Sequence, residues 1–208
     1  MQKESWIGQL YETCPFEYVY PEFLSHIERM EICPDYIFGK VLVIGQASAF
    51  PEKTLVCSAE TYYRQLRPEV ESIFLCDPDP FSSPSTQPDI PCINTITMGE
   101  ISSCQPSAAY WELTSSYYYL QKTPKDFFDT VMMFRAVDTG YQIVNNGLIS
   151  TITPHLKKGG YIILSGGRFP EDISEGVFAP LKVLKLTPLI NYSGGFPFVR
   201  NMGVILQK

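Results

Sequence analysis

The sequence predicts an α/β domain built on a mostly parallel sheet with helices on both faces, and three observations carry that prediction. Short runs of β-branched and aliphatic residues, such as Lys40-Val-Leu-Val-Ile-Gly45, recur along the chain. Continuous apolar runs of that kind are typical of parallel strands covered on both faces. These runs alternate with stretches of helical apolar spacing, and the chain closes on two successive strand-like runs, Lys182–Ile190 and Arg200–Leu206, joined across Gly194-Gly195. Alternation followed by a terminal strand pair is the pattern of an open, helix-covered sheet.

Taken in order, residues 1–37 read as an N-terminal helical segment and residues 38–208 as the main domain. Trp6, Ile7, Leu10 and Tyr11 share one helical face, and Pro21 suits a first helical turn ahead of Phe23, Leu24, Ile27 and Met30. His26 falls on the surface of that helix in this reading. After the first strand, a helix is expected across Thr54–Leu66, then a second strand over Ser72–Cys76 ending at Asp77-Pro-Asp-Pro80. Five prolines between 77 and 91 make that stretch a loop. A third strand is expected over Cys92–Met98, leading to Gly99-Glu100, and an aromatic-rich helix over 107–121. Phe127–Phe134 reads as a strand and Tyr141–Thr153 as a helix. Leu156-Lys-Lys-Gly-Gly160 then reads as a helix-ending turn, its basic residues and glycines placed where the macrodipole and a left-handed cap favour them, before the strand Tyr161–Leu164. His155, at that helix end, is expected to be structural.

Composition narrows the function classes. The 208 residues fit one domain, with 45% apolar and 18% charged residues. No run approaches the roughly 20 apolar residues of a membrane span, and the start lacks a basic-then-apolar signal pattern, so the expectation is a soluble cytoplasmic protein. The six cysteines are scattered without a CxxC pair and there are two histidines, so no zinc site is expected and the thiols read as free. Net charge is −6; residues 1–104 carry 6 basic and 15 acidic side chains, and residues 105–208 carry 10 and 7. That balance disfavours nucleic acid as a partner.

The block Phe128-Asp-Thr-Val131, a helix, and Leu156-Lys-Lys-Gly-Gly-Tyr-Ile-Ile-Leu164 resembles the fourth strand, helix and turn into the fifth strand of the Rossmann-like (class I) S-adenosylmethionine-dependent methyltransferases. The resemblance covers residues 38–208. It implies a seven-stranded sheet in the order 3-2-1-4-5-7-6 with the last strand antiparallel, and S-adenosylmethionine as cofactor. Ligands of open α/β sheets bind at the carboxyl ends of the strands. The residues matching the family's cofactor motifs are accordingly Gly45, Gln46 and Ala47 after the first strand, Asp77 and Pro78 after the second, Glu100 and Ile101 after the third, and Phe134 after the fourth. Asp77 would accept hydrogen bonds from the ribose hydroxyls. Ala47 and Ala49 stand where the family has glycines, and Val43 where it has an acid, so the first motif is degenerate. Gly45 and Asp77 lie 32 positions apart, a longer interval than the roughly twenty of dinucleotide folds.

Two functions follow from the resemblance. One is methyl transfer to a small-molecule or protein acceptor; in-line displacement at a sulfonium relies on positioning, so the sequence names no catalytic residue. The alternative is a catalytically inactive methyltransferase-like domain serving as a binding or scaffold subunit for a protein partner. The tyrosine- and tryptophan-rich stretch Tyr110–Tyr119 would serve as a stacking surface, as core, or as the contact of a homodimer. A dinucleotide fingerprint, a P-loop and a GxSxG elbow are all absent from the sequence.

Overall fold

A computed structural model describes residues 21–45, 55–58, 60, 65–77, 95–97, 109–113, 116–134, 147–170, 174–189 and 199–208. The strands are β1 (Gly39–Ile44), β2 (Val70–Asp77), β3 (Thr95–Thr97), β4 (Ala109–Leu113), β5 (Phe128–Phe134), β6 (Leu156–Pro170), β7 (Lys182–Pro188) and β8 (Val199–Gln207). They form one sheet in the order β3-β4-β2-β1-β5-β6-β8-β7. The ladders from β3 through β6 are parallel, and β8 runs antiparallel to both β6 and β7. The described residues thus give a mostly parallel α/β sheet with an antiparallel edge, of eight strands and not the expected seven. The additional strand is β3, at the far edge.

Alternation along each central strand divides its side chains between two apolar clusters, as the pleat requires. Val41, Val43, Ile73, Leu75, Met132, Phe134, Ile163 and Ile205 pack with Leu24, Ile27 and Met30 of helix α1 (Pro21–Met30). Leu42, Ile44, Phe74, Val131, Met133, Ile162, Leu164 and Val204 pack with Tyr119 and Leu120 of helix α2 (Ser116–Gln121) and with Leu148, Ile149 and Ile152 of helix α3 (Leu148–Ile152). Every residue of β5 is buried. No helix among the described residues is long and apolar enough to cross a membrane.

Three expectations need correction. The helix expected over 107–121 is confined to Ser116–Gln121, because Ala109-Tyr-Trp-Glu-Leu113 is strand β4. Aromatic residues suit a pleated surface at least as well as a helix. The strand expected over 92–98 is the short β3, which pairs with β4 alone, so β4 and not β3 lies beside β2. No continuous helix spans 54–66: Cys57 faces Leu66 in an antiparallel bridge, with Arg67 N donating to Val56 O (2.9 Å) and Ser58 N to Gln65 O (2.9 Å). Of the helix expected over Tyr141–Thr153, the described residues give α3, which begins at Leu148 with the left-handed Gly147 (φ +63) as its cap. Residues 1–20, 78–91 and 141–146 lie outside the described residues.

The Lys157–Gly160 turn is a wide irregularity within β6. Phe128 pairs with Leu156, and pairing resumes at Thr130 with Tyr161. The excursion lets Lys157 Nζ reach both carboxylate oxygens of Asp129 (2.8 and 2.7 Å), while Asp129 Oδ2 also accepts from Lys40 N (2.9 Å). Gly39 (φ +62) lies against the same carboxylate; a Cβ there would come within 2.5 Å of Asp129 Cγ. Thr130 Oγ1 accepts from Phe38 N (3.2 Å) and donates to Tyr36 O (3.0 Å). Asp129 and Thr130 thereby fasten the amino ends of β1, β5 and β6 together. Asp129, Thr130 and Lys157 form a structural staple at the end of the sheet opposite the carboxyl termini of β1, β2 and β5.

Candidate functional site

Strand register brings the predicted positions together. The β1–β2 ladder ends on Ile44 paired with Cys76, which puts Gly45 level with Asp77; Gly45 N donates to Cys76 O (2.9 Å). Val43 pairs with Met132, so two residues further on Gly45 is level with Phe134. Phe134 in turn pairs with Ser165, Ser165 with Gly203, and Asp77 with Leu113. One row therefore crosses the sheet at the carboxyl ends of β4, β2, β1 and β5, through Leu113, Asp77, Gly45 and Phe134, and meets Ser165 and Gly203 within β6 and β8, which go on pairing beyond it to Pro170 and Val199. At roughly 4.8 Å per strand, Asp77 and Phe134 stand about 10 Å apart on either side of Gly45.

The chain leaves β1 toward β2 on one side and later returns to place β5 on the other. The gap between β1 and β5 is thus the topological switch point, where open α/β sheets form their ligand crevice. Gly45 stands at its mouth with φ +70, a left-handed conformation that glycine adopts without the steric cost of a Cβ. An alanine at 45 would not hold this backbone so readily. Glycine at this position thus has a local physical reason.

Of the eight predicted site residues, the structure places Gly45, Asp77 and Phe134 on this row. Phe134 is buried among Met132, Ile163 and the apolar residues of α1. Gln46, Ala47, Pro78, Glu100 and Ile101 lie outside the described residues. Sequence reasoning missed two kinds of residue. The strand end next to Asp77 is Glu112-Leu113 of β4, because β3 does not lie beside β2. The run of strand formers Ala109-Tyr-Trp was the available signal. The second omission is a polar pair. His26 is not on the helix surface but 5% exposed, and its Nδ1 lies 3.1 Å from Ser165 Oγ on the row. No sequence signal links residues 139 positions apart.

Three other titratable side chains, those of Arg67, His155 and Lys208, fall at the opposite edge. Arg67 is buried and donates through Nη2 to Ile37 O (2.7 Å). Burial pushes its guanidinium below the ordinary arginine range, offset in part by Glu69, the Cys57 thiol and Asp35. His155 Nδ1 lies 3.0 Å from Pro124 O, at the amino end of β6, which fits the structural role expected of it. Lys208 Nζ donates to Asp126 Oδ1 (2.8 Å), Thr153 O (2.9 Å) and Leu156 O (2.5 Å).

Solved structures share this fold. A precorrin-6Y C5,15-methyltransferase from Geobacter metallireducens superposes with a TM-score of 0.53 at 11% identity, over 95% of this chain and 96% of that one. A spermidine synthase in complex with the transition state analogue AdoDATO gives 0.56 at 16% identity, over 89% of this chain. A Pyrococcus horikoshii protein described as a "putative transferase" gives 0.55 at 10%, over 90% of this chain. This chain spans 61% of the spermidine synthase and 63% of the Pyrococcus protein. Methyltransferases recur among the matched structures. No family model matches the sequence, and no curated protein matches it. At these identities the likeness shows the fold, the one shared by class I methyltransferases.

Proposed function

We propose that the protein is an S-adenosylmethionine-dependent methyltransferase of the class I type with a degenerate first glycine motif, acting on a small-molecule or protein acceptor. The observation that carries this reading is the row Asp77–Gly45–Phe134 at the switch point of a sheet whose fold methyltransferases share. The residues present fit the cofactor. Gly45 supplies a left-handed turn at the mouth of the crevice, where backbone can approach a ligand closely. Asp77, one strand over, is the acid for the ribose hydroxyls. Gln46, Ala47, Pro78, Glu100 and Ile101 complete the binding set in this reading, and Phe134 bounds the methionine side.

S-adenosylmethionine, when bound, supplies a methyl group on a sulfonium. The protein's own contribution is alignment and exclusion of water, which can supply much of such a barrier reduction. The spermidine synthase likeness shows that this fold also serves a reaction other than methyl transfer, so the product must be identified directly. Incubation with methyl-labelled S-adenosylmethionine and fractionated metabolite or protein extracts is expected to yield S-adenosylhomocysteine and a labelled acceptor. Cofactor binding without turnover in any fraction would favour the scaffold reading, which Ala47 and Ala49 motivate.

A further inference from the structure

We propose that the buried His26–Ser165 pair is a positioning pair of the ligand crevice, at its Phe134 side; this rests on the functional reading above. Ser165 is paired with Phe134 across the parallel β5–β6 ladder, so it stands on the row that carries Gly45 and Asp77. Phe134 and His26's neighbours Leu24, Ile27 and Met30 belong to one apolar cluster, so the pair lies on the same face as the Phe134 ring. At 2% and 5% exposure, Ser165 and His26 are a polar insertion into an otherwise apolar face.

Several features make this more than a buried hydrogen bond. Beyond Ser165 the β6–β8 ladder shifts register, so the strand departs from regular pairing right at the crevice row. Such bulges re-aim side chains next to active sites. On the adjoining strand, Gly203 leaves the space that Met30 fills; a Cβ there would come within 2.5 Å of Met30 Sδ. Met30 is one helical turn from His26, so this fit sets α1 on the sheet at the level that delivers His26 to Ser165. A hydroxyl offers one donor and two acceptor directions, and the 3.1 Å contact with His26 occupies one of them. Held in a fixed rotamer by the imidazole, Ser165 has capacity left for a polar group entering beside Phe134. The chemistry this suits is the hydrogen-bonding amino-acid end of the cofactor, which S-adenosylhomocysteine shares.

The two histidines provide their own control, since His26 is at the carboxyl edge and His155 at the amino edge. In protein labelled with 15N-histidine, saturating S-adenosylhomocysteine is expected to shift the His26 ring nitrogens and leave those of His155 unmoved. His26→Leu is expected to weaken S-adenosylhomocysteine binding about fivefold, the scale of one buried hydrogen bond. His26→Asn, whose amide can meet Ser165 from the Nδ1 position, is expected to stay within about twofold of wild type. Calorimetric binding with an unmoved His26 signal would overturn the assignment and leave the pair as a structural bond, even if His26→Leu fails to fold. No binding heat at all would overturn the functional reading, and this inference with it.

Discussion

Alanine at position 39 should be far more damaging than alanine at position 159, although both glycines have positive φ. Gly39 (φ +62) and Gly159 (φ +82) each impose a left-handed backbone on the incoming residue, costing about 1–2 kcal/mol. Around Gly159 a new Cβ would meet nothing within 4 Å, so that cost is the whole expected effect. At Gly39 the new methyl would overlap the Asp129 carboxylate, with Asp129 Cγ at 2.5 Å and Cβ at 2.8 Å. The carboxylate must then leave Lys40 N, a charge-assisted bond worth about 1.5–3 kcal/mol. Its ion pair with Lys157, whose side chain is 38% exposed, adds under about 1 kcal/mol. Gly39→Ala should therefore cost about 3–5 kcal/mol, against about 1–2 kcal/mol for Gly159→Ala. Urea unfolding of the two variants, compared at unchanged m, reads the difference directly. Equal midpoints for the two would refute the view that Asp129 fastens β1, β5 and β6.

Two further stability predictions follow from the amino edge. Arg67→Leu removes the bond to Ile37 O and leaves that carbonyl buried without its donor; a loss of about 2 kcal/mol in urea unfolding is expected, and an unchanged midpoint would contradict the contact. Asp126 is held below the ordinary carboxylate range, first by the hydrogen bond from Lys208 and then by its charge. A depressed folded-state value means a contribution present above the unfolded-state carboxylate value and lost as pH falls through the lowered one. Asp126→Asn should accordingly flatten the acid limb of the stability–pH profile and leave its neutral-to-basic part parallel to wild type.

Much of the fold was legible because the central strands are unambiguous. Val41–Ile44 and Val131–Phe134 are apolar on both faces, and no helix competes for runs so short and so rich in strand formers. The 109–121 stretch was not legible, since tyrosine and tryptophan at successive positions satisfy a helical stripe and a pleated surface alike. Ala109–Leu113 is a strand through its pairing with β2 and β3, which local preference does not encode. The 54–66 segment failed for a related reason: the Cys57–Leu66 bridge is a contact between its two ends, which periodicity does not encode. That Gly45, Asp77 and Phe134 share one row was legible because each stands at the end of a strand, and strand ends share one edge of a parallel sheet. That His26 meets Ser165 was not, because the two are 139 positions apart in sequence.

The central claim is that the row Asp77–Gly45–Phe134 binds S-adenosylmethionine. Calorimetric titration of the wild-type chain and of Asp77→Ala with S-adenosylmethionine and S-adenosylhomocysteine tests it most directly. The prediction is saturable binding of both ligands, weakened about tenfold or more in Asp77→Ala, or about 1.4 kcal/mol. Binding of equal strength in the variant would remove Asp77 from the site. No heat and no thermal shift at millimolar ligand would contradict the claim itself.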